Sequence, residues 1–279
     1  MNTKQNSTMA ATLYKNIQWT SQPNQIASHD TTFAIRTSQR GALYGENLYT
    51  PVVTTTHFQT DQREGWWYRI DPEKRWLTGR AYYFAKRVMD LLIVGTSLPI
   101  IYPLLLLCML LVKLESPDGP IFFKQQRTGK DGRRFSMYKF RTMVPNAEEM
   151  KTELAHLNEL QWPDFKITDD PRVTRVGRIL RKTSLDELPQ IINILKGDMS
   201  LVGPRPTSFA PETYDLWHTA RLDVQPGLTG LWQIVGRASM EFDERVVLDL
   251  AYIERRSLLL DILILFHTLI AVFKQKGAH

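Results

Sequence analysis

The chain has 279 residues, 43% of them hydrophobic and 23% charged, a composition close to the soluble globular norm and long enough for about two domains. A mean hydropathy of −0.27 excludes a polytopic transporter, and a single cysteine, Cys108, excludes an intramolecular disulfide framework. A net charge of +6 and a pI near 9.3 admit nucleic acid, anionic lipid or a phosphorylated substrate as partner without choosing among them.

Within the first 60 residues, 27 are Thr, Ser, Asn or Gln, and no apolar periodicity accompanies them. Such a segment cannot bury enough surface to offset its ordering entropy, so it is predicted to be largely disordered, as a passive tail or a partner-binding arm. No apolar run of signal-peptide length follows Lys4, and no arginine precedes Arg36, so neither a secretory signal nor a transit peptide is expected. The character changes at Trp66-Trp67-Tyr68-Arg69, followed by Trp76, Arg80, Tyr82, Tyr83, Phe84, Lys86 and Arg87. Aromatics interleaved with cations suit the headgroup layer of a bilayer. RNA stacking would use similar residues, but the next segment decides for the membrane and against nucleic acid.

From Leu91 to Val112 no charged residue occurs, and Asp90 and Lys113 bracket the run. As a straight helix it would reach ~33 Å, enough to cross a hydrocarbon core of about 30 Å. Pro99 and Pro103 fall inside it, and each removes a backbone donor and crowds the carbonyl four residues earlier, which predicts a kink. Both flanks are basic: Lys86 and Arg87 before, then Lys113, Lys124, Arg127, Lys130, Arg133 and Arg134 after. The positive-inside tendency places both ends in the cytoplasm, as a re-entrant helix would. An ordinary span also fits, because spanning helices tolerate proline.

Beyond the apolar run the chain reads as mixed soluble structure. Ile121 to Gln126 and Arg134 to Phe140 are aromatic-rich runs separated by Gly129-Lys130-Asp131-Gly132, a hairpin signal. Glu148 to Gln161 is predicted helical from Met150, Leu154 and Leu157. Ile191 to Leu195 continues a helix that Gly197 ends. Glu241 to Arg256 places Phe242, Val246, Leu250 and Ile253 on one face, and Leu258 to Phe273 suits a helix lying in a membrane interface.

The sequence contains no P-loop, G-x-G-x-x-G, H-E-x-x-H, paired cysteines or Asp-x-Asp. Instead, Arg172, Arg175, Arg178, Arg181 and Lys182 lie within eleven residues with no acid among them. Thr183 to Gln190, containing Asp186 and Glu187, follows, and then Gly203-Pro204-Arg205-Pro206. Arginine forks suit phosphate oxygens, and a Pro-Arg-Pro setting would hold one guanidinium in place; a solvated or lipid-facing basic helix accounts equally well for any one of these arginines. Ser184-x-x-Glu187 fits a capping box. The helix N-terminus and nearby cations favour ionised carboxylates, suited to a nucleophile or a metal ligand. Capping and catalysis explain the pair equally well on spacing alone.

Taken in order, Lys86-Arg87-x-x-Asp90, the proline-interrupted run, Gln125-x-Arg127-x-Gly129, Lys139-Phe140-Arg141-Thr142-Met143 and Ser184 to Gln190 carry a resemblance. Gly197 to Pro206, Pro226 to Gln233 and the closing Lys276-Gly277-Ala278 extend it. From about Ala81 to His279 the chain resembles the bacterial sugar transferase family, the monotopic phosphoglycosyl transferases that begin exopolysaccharide, capsule and O-antigen synthesis. The resemblance implies transfer of a sugar 1-phosphate from a UDP-sugar donor to polyprenyl (undecaprenyl) phosphate, releasing UMP at the cytoplasmic face of the bacterial inner membrane. It implies a covalent phosphosugar intermediate on Asp186, with Glu187 as the Mg²⁺-associated partner. By the same matching Arg205 resembles a phosphate clamp, and Arg181, Lys139 and Arg141 resemble active-site cations. Arg237 and Asp243 resemble nucleotide-side positions, although a solvated helix face accounts for Asp243 equally well.

The implied fold is α+β and predominantly helical with a short β-hairpin, a monotopic membrane protein with a proline-broken re-entrant helix and interfacial amphipathic helices. Residues 1–80 form the polar extension with its aromatic-basic end, 81–115 the re-entrant helix, and 116–279 the cytoplasmic catalytic domain with a C-terminal interfacial helix. Many relatives carry Ser-Pro at the helix break, whereas here Tyr102 precedes Pro103, so the break falls at Pro99 or Pro103. The closing motifs, with Gly236-Arg237, are more similar to hexose-using members, so glucose or galactose is expected as the sugar, with an N-acetylated sugar as the alternative. A homo-oligomer is compatible with the sequence. A non-catalytic membrane scaffold of a polysaccharide assembly complex is the competing reading, with the acidic pair serving only as a cap.

Overall fold

A computed structural model describes residues 31–38, 51–58, 65–159, 167–209, 216–236, 240 and 242–273. Within the polar extension two backbone segments, β1 (Thr31–Ser38) and β2 (Pro51–Phe58), pair antiparallel with Thr31 opposite Phe58 and Ser38 opposite Pro51. The Thr, Phe and Ile of the first run and the Val and Thr of the second favour such pairing, and this hairpin is a feature that the polar composition did not announce.

A 3₁₀ turn at Trp66–Arg69 buries Trp67 and stacks Trp66 on His267, ring centroids 4.4 Å apart. Helix α1 (Gly79–Glu115) then runs for 37 residues through both prolines. The expected break is therefore not a gap in the helix. Pro99 frees the carbonyl of Gly95, and on the turn before it Thr96 Oγ1 donates to the Leu92 carbonyl and Ser97 Oγ to that of Val94, each at 2.8 Å. Only 11% of its most apolar window is buried, far from the near-complete burial of a soluble core helix.

Both ends of α1 dock on the same body. Near its start Lys86 Nζ donates to Asp261 at 2.8 Å, Asp90 accepts from Ser200 Oγ at 2.7 Å, and Arg87 donates to the carbonyls of Ile194 and Leu195. At its end the Glu115 carboxylate accepts from Val176 N at 3.0 Å, and the Ser116 carbonyl accepts from Arg141 at 2.7 Å. Leu98, Ile100 and Tyr102, between these anchors, are exposed.

The expected hairpin forms as β3 (Phe122–Thr128) and β4 (Arg134–Phe140), in antiparallel register from Phe122 opposite Phe140 to Thr128 opposite Arg134. Its turn uses Asp131 and Gly132 at φ of 56° and 73°, the left-handed conformations that Asp-Gly supplies at low cost. The helix expected over Glu148 to Gln161 is reduced to α2 (Met150–Glu153) and a 3₁₀ turn, Ala155–Leu157. Leu157 is exposed and Met150 and Leu154 are only half-buried, so the apolar stripe is incompletely covered; residues 160 and 161 lie outside the described residues.

Helix α3 (Arg175–Lys182) is capped by Thr174 Oγ1, which accepts from Gly177 N at 2.9 Å. After a left-handed Ser184, a 3₁₀ helix (Leu185–Gln190) leads into α4 (Ile191–Lys196), which Gly197 ends at φ 85° as expected. Strands β5 (Ser200–Val202) and β6 (Gly227–Thr229) pair in parallel. Their approach requires glycine, since a Cβ on Gly227 would lie 2.1 Å from Gly203 N. Short α5 (Leu231–Val235) precedes α6 (Phe242–Arg255) and α7 (Leu258–Phe273).

Two clusters hold these elements. One joins the first half of α1 through Val94 to Ile194, Met199, Val202, Leu248, Tyr252 and Ile264; the other joins its second half through Cys108 and Val112 to Phe140 and Leu180. Helix α7 turns Leu260, Asp261 and Ile264 inward. Leu259, Ile262, Phe266, Leu269 and Val272 form an uncovered apolar stripe at helical spacing on its other side. The architecture is thus predominantly helical with a short hairpin and one long apolar helix, as the sequence implied.

Candidate active site

Strand β4, the 3₁₀ helix after α3, and the loop after β5 converge on one acidic pair. Strand alternation turns Lys139 toward the pair, and Phe140, on the opposite face, anchors the strand in the core. Asn193, fully buried on α4, fixes the spacing: its Oδ1 accepts from Tyr138 N at 3.0 Å and its Nδ2 donates to the Ser136 carbonyl at 2.8 Å.

Ser184 adopts φ 56°, ψ 16° and makes no side-chain cap. The expected capping box is therefore absent, because Glu187 points away from its own backbone. Lys139 Nζ donates to Glu187 Oε1 at 2.8 Å, Arg205 Nη1 donates to Oε2 at 3.2 Å, and Arg205 Nη2 also donates to Oε1. The left-handed residue reverses the chain between α3 and the 3₁₀ helix, and that reversal aims both acids at β4 and the Pro-Arg-Pro loop.

The two carboxylates differ. Asp186 is buried, 3.9 Å from Lys139 Nζ, and its carboxylate accepts no hydrogen bond from the described residues. Burial pushes its pKa above the ordinary carboxylate value; Lys139 pulls it down and Glu187 pushes it further up. For Glu187 burial acts in the same direction, but Arg205 and Lys139 outweigh it and hold the group well below the usual range. The expectation that local cations favour ionisation thus holds for Glu187 and is reversed for Asp186, where desolvation dominates. The pair combines a Glu187 fixed by two cations with an Asp186 carboxylate that accepts no hydrogen bond from the described residues.

The remaining candidates separate. Arg181 Nε donates to Thr142 Oγ1 at 2.9 Å and its charge reaches Asp186. Arg141 is buried on the end of α1, with Nη2 on the Ser116 carbonyl and Nη1 packed over Gly119; the structure gives it no contact with the acidic pair. Asp243, in the first turn of α6, pairs with His218 Nε2 at 2.9 Å. Arg237 lies outside the described residues. Sequence reasoning missed Asn193, Arg221 and Asp249. Asp249 carried a signal: it sits between Val246 and Ile253 on the buried stripe of α6, where an acid requires a partner.

Among the described residues no group of three or more His, Cys, Asp or Glu side chains could hold a metal ion by itself. Mg²⁺ seldom needs such a group, since one or two carboxylates plus waters and substrate phosphates complete its shell. Glu187 meets that smaller requirement only through Oε2, because Oε1 already accepts from both Lys139 and Arg205.

A model of the family described as bacterial sugar transferase matches residues 81–275. The exopolysaccharide production protein ExoY of Sinorhizobium fredii is 44% identical over 200 residues, 70% of this chain and 88% of that protein. The undecaprenyl-phosphate galactose phosphotransferase of Salmonella typhimurium is 44% identical over 208 residues, 73% of this chain and 43% of the relative. A UDP-N-acetylgalactosamine-undecaprenyl-phosphate N-acetylgalactosaminephosphotransferase of Aeromonas hydrophila is 42% identical over 204 residues, 71% and 45% of the two chains. The chain thus spans less than half the length of the last two relatives.

Proposed function

Because the chain belongs to the bacterial sugar transferase family, we propose that it transfers a sugar 1-phosphate from a UDP-sugar to polyprenyl (undecaprenyl) phosphate and releases UMP. The observation that carries this reading is a buried Asp186, its carboxylate accepting no hydrogen bond from the described residues, beside a Glu187 clamped by Lys139 and Arg205. Phosphoryl transfer needs mainly in-line positioning and charge neutralisation, and the cations around the pair are suited to the second. A carboxylate oxygen of Asp186 attacks the β-phosphorus of the donor, and the bond from that phosphorus to the bridging oxygen breaks, so the electron pair leaves with UMP. The phosphate oxygen of the acceptor then attacks the aspartyl phosphosugar, frees the Asp186 carboxylate and completes a polyprenyl diphosphate sugar. Lys139, Arg181 and Arg205 neutralise the phosphoryl oxygens. Glu187 would hold Mg²⁺, whose chemistry is to neutralise pyrophosphate charge.

The same reading places α1 in the membrane as a re-entrant element. A straight 37-residue helix would be ~55 Å long, and docking of both ends on one body argues against ends on opposite sides of a bilayer. The apolar stripe of α7 is suited to lie in the interface, and the basic flanks of α1 favour the cytoplasmic side of the inner membrane. Names of relatives with nearly equal identity include both galactose and N-acetylgalactosamine, so overall similarity does not select the sugar. The hexose reading, glucose or galactose, rests on the resemblance of Gly236-Arg237 and the closing Lys276-Gly277-Ala278-His279 to hexose-using members, and the product would begin an exopolysaccharide.

The test is incubation of purified full chain with UDP-glucose, UDP-galactose, UDP-N-acetylglucosamine and UDP-N-acetylgalactosamine, each without acceptor. The expected result is a mass increase of one hexose phosphate with stoichiometric UMP for one of the first two. An N-acetylhexosamine phosphate adduct would reassign the sugar, and neither adduct nor UMP from any donor, with no turnover on adding acceptor, would overturn the reaction.

A second expectation concerns pH. The nucleophile must be ionised, so the rate of adduct formation falls as pH drops through the raised Asp186 value, with a midpoint above the ordinary carboxylate pKa of about 4. Lys139→Gln removes a cation that favours ionisation and moves that midpoint upward. A midpoint at or below the ordinary value, measured by single-turnover quench, would contradict the assignment of burial as the dominant influence.

A further inference from the structure

The Pro-Arg-Pro loop that carries Arg205 has only one backbone donor, the Arg205 N–H, since Pro204 and Pro206 have none. Its carbonyls are held from outside, each by a different residue. Gly227 N donates to the Pro204 carbonyl at 2.9 Å, Arg127 Nη1 to that of Pro206 at 3.2 Å, and Thr128 N to that of Thr207 at 2.9 Å. The carbonyl of Arg205 itself accepts from Arg221 Nη2 at 2.8 Å.

Arg221 is buried, and the same nitrogen donates to Asp249 Oδ2 at 2.5 Å. Asp249 is buried in the middle of α6, so the tether runs from a rigid helix through one ion pair to the peptide of the residue that clamps Glu187. Neither Arg221 nor Asp249 contacts the acidic pair, and a fold needing only stability could fill this volume with apolar side chains at comparable or lower cost. The ion pair does what an apolar pair cannot: it directs a fixed donor at the Arg205 carbonyl, and so sets the direction from which the guanidinium reaches Glu187 and an incoming phosphate.

We propose that Arg221 and Asp249 are positioning residues for the phosphoryl-transfer step, acting through the backbone of Arg205. The inference rests on the transferase reading above and adds to it a second, buried tier of the active site. Supporting it, burial raises the Asp249 pKa to about 6, and Arg221 pulls against that rise, as expected of a carboxylate kept charged at neutral pH by one partner. A tether of this kind governs a transition-state contact more than substrate capture, so its loss falls on kcat with little change in KM.

The experiment is a double-mutant cycle. Arg221→Gln combined with Asp249→Asn replaces the ion pair by two amides, leaving no uncompensated buried charge, and glutamine is too short to span from Asp249 to the Arg205 carbonyl. In an otherwise wild-type chain this pair is expected to lower kcat for UMP release about 100-fold with KM for the UDP-sugar within about threefold. In an Arg205→Met background the same two changes are expected to cost less than about threefold, because the group they position is gone. Near-wild-type activity of the paired variant overturns the proposal, as does an equal loss in both backgrounds, which marks a general structural role. If the paired variant unfolds, Asp249→Asn alone is put through the same cycle and judged by the same criteria. An inactive wild-type chain would instead refute the transferase reading.

Discussion

Asp186→Asn is expected to reduce UMP release from the UDP-sugar by about 10⁴-fold or more, with acceptor present or absent, and to eliminate the covalent adduct. The same variant is expected to unfold at the same temperature as the wild type or slightly higher. Asparagine has nearly the shape of aspartate, and no hydrogen bond from the described residues to the Asp186 carboxylate is lost. The sign follows from linkage. A carboxyl whose folded-state pKa lies above its unfolded value binds its proton more tightly when folded, so above both values its ionisation weighs against the folded state. Replacing it by a neutral amide removes that burden. Glu187→Gln is the contrasting case, because it breaks bonds to Lys139 and Arg205 and leaves two cations without their anion. Adduct formation together with calorimetric or fluorescence unfolding of the two variants separates these outcomes. A strongly destabilised Asp186→Asn would show that the carboxylate supports the fold instead of serving as a nucleophile.

How far such a site can be read from a sequence depends on whether its parts are local. Asp186, Glu187, Lys139 and Arg205 stand in short motifs whose residue types announce phosphate chemistry, and the structure brings these four together. Arg141 stands in the same motif as Lys139 and ends on the Ser116 carbonyl, because the residue just past the end of β4 meets whatever follows the neighbouring helix. Spacing alone does not encode that neighbour. Nor does it encode the opposite shifts of two adjacent carboxyls: the cations near Asp186 are visible in the sequence, but its desolvation depends on β4 and the Pro-Arg-Pro loop closing over it.

Turn chemistry was legible in the fold. Asp131-Gly132 and Gly197 occupy left-handed positions that their residue types favour, and the hairpin and the end of α4 follow from them. Ser184 takes the same conformation without such a residue, which is why the Ser-x-x-Glu spacing suggested a cap that does not exist. Over Glu148 to Gln161 the helical period was present, but a marginal helix needs a surface on which to bury its stripe. Strands β1 and β2 lie in a segment whose polar composition hides their Thr and their few Ile, Phe and Val residues.

The largest stability effect is expected at the joint between α1 and α7. Lys86 Nζ donates to Asp261 Oδ2 at 2.8 Å, with Asp261 fully buried and Lys86 nearly so. Tyr82 OH donates to the same oxygen at 3.1 Å, and Tyr252 OH donates to Oδ1 at 2.7 Å. Lys86→Met leaves a buried carboxylate with two hydroxyl donors and no countercharge, a loss of about 3–5 kcal/mol. For a chain of this size that lowers the unfolding midpoint by on the order of 10 °C. Lys86→Met combined with Asp261→Asn is expected to recover most of the loss, because an amide still accepts from Tyr252 and its nitrogen can donate to the Tyr82 oxygen. Thermal unfolding in detergent micelles compares the three proteins. If the double variant is no more stable than Lys86→Met, an unpaired charge is not what the single change exposes, and packing of the lysine stem against α7 would account for the loss. Recovery would establish that the loss in Lys86→Met comes from the uncompensated Asp261 charge at the joint between α1 and α7, a joint distinct from the one that ties the other end of α1 through Glu115 to the helix leading to Asp186.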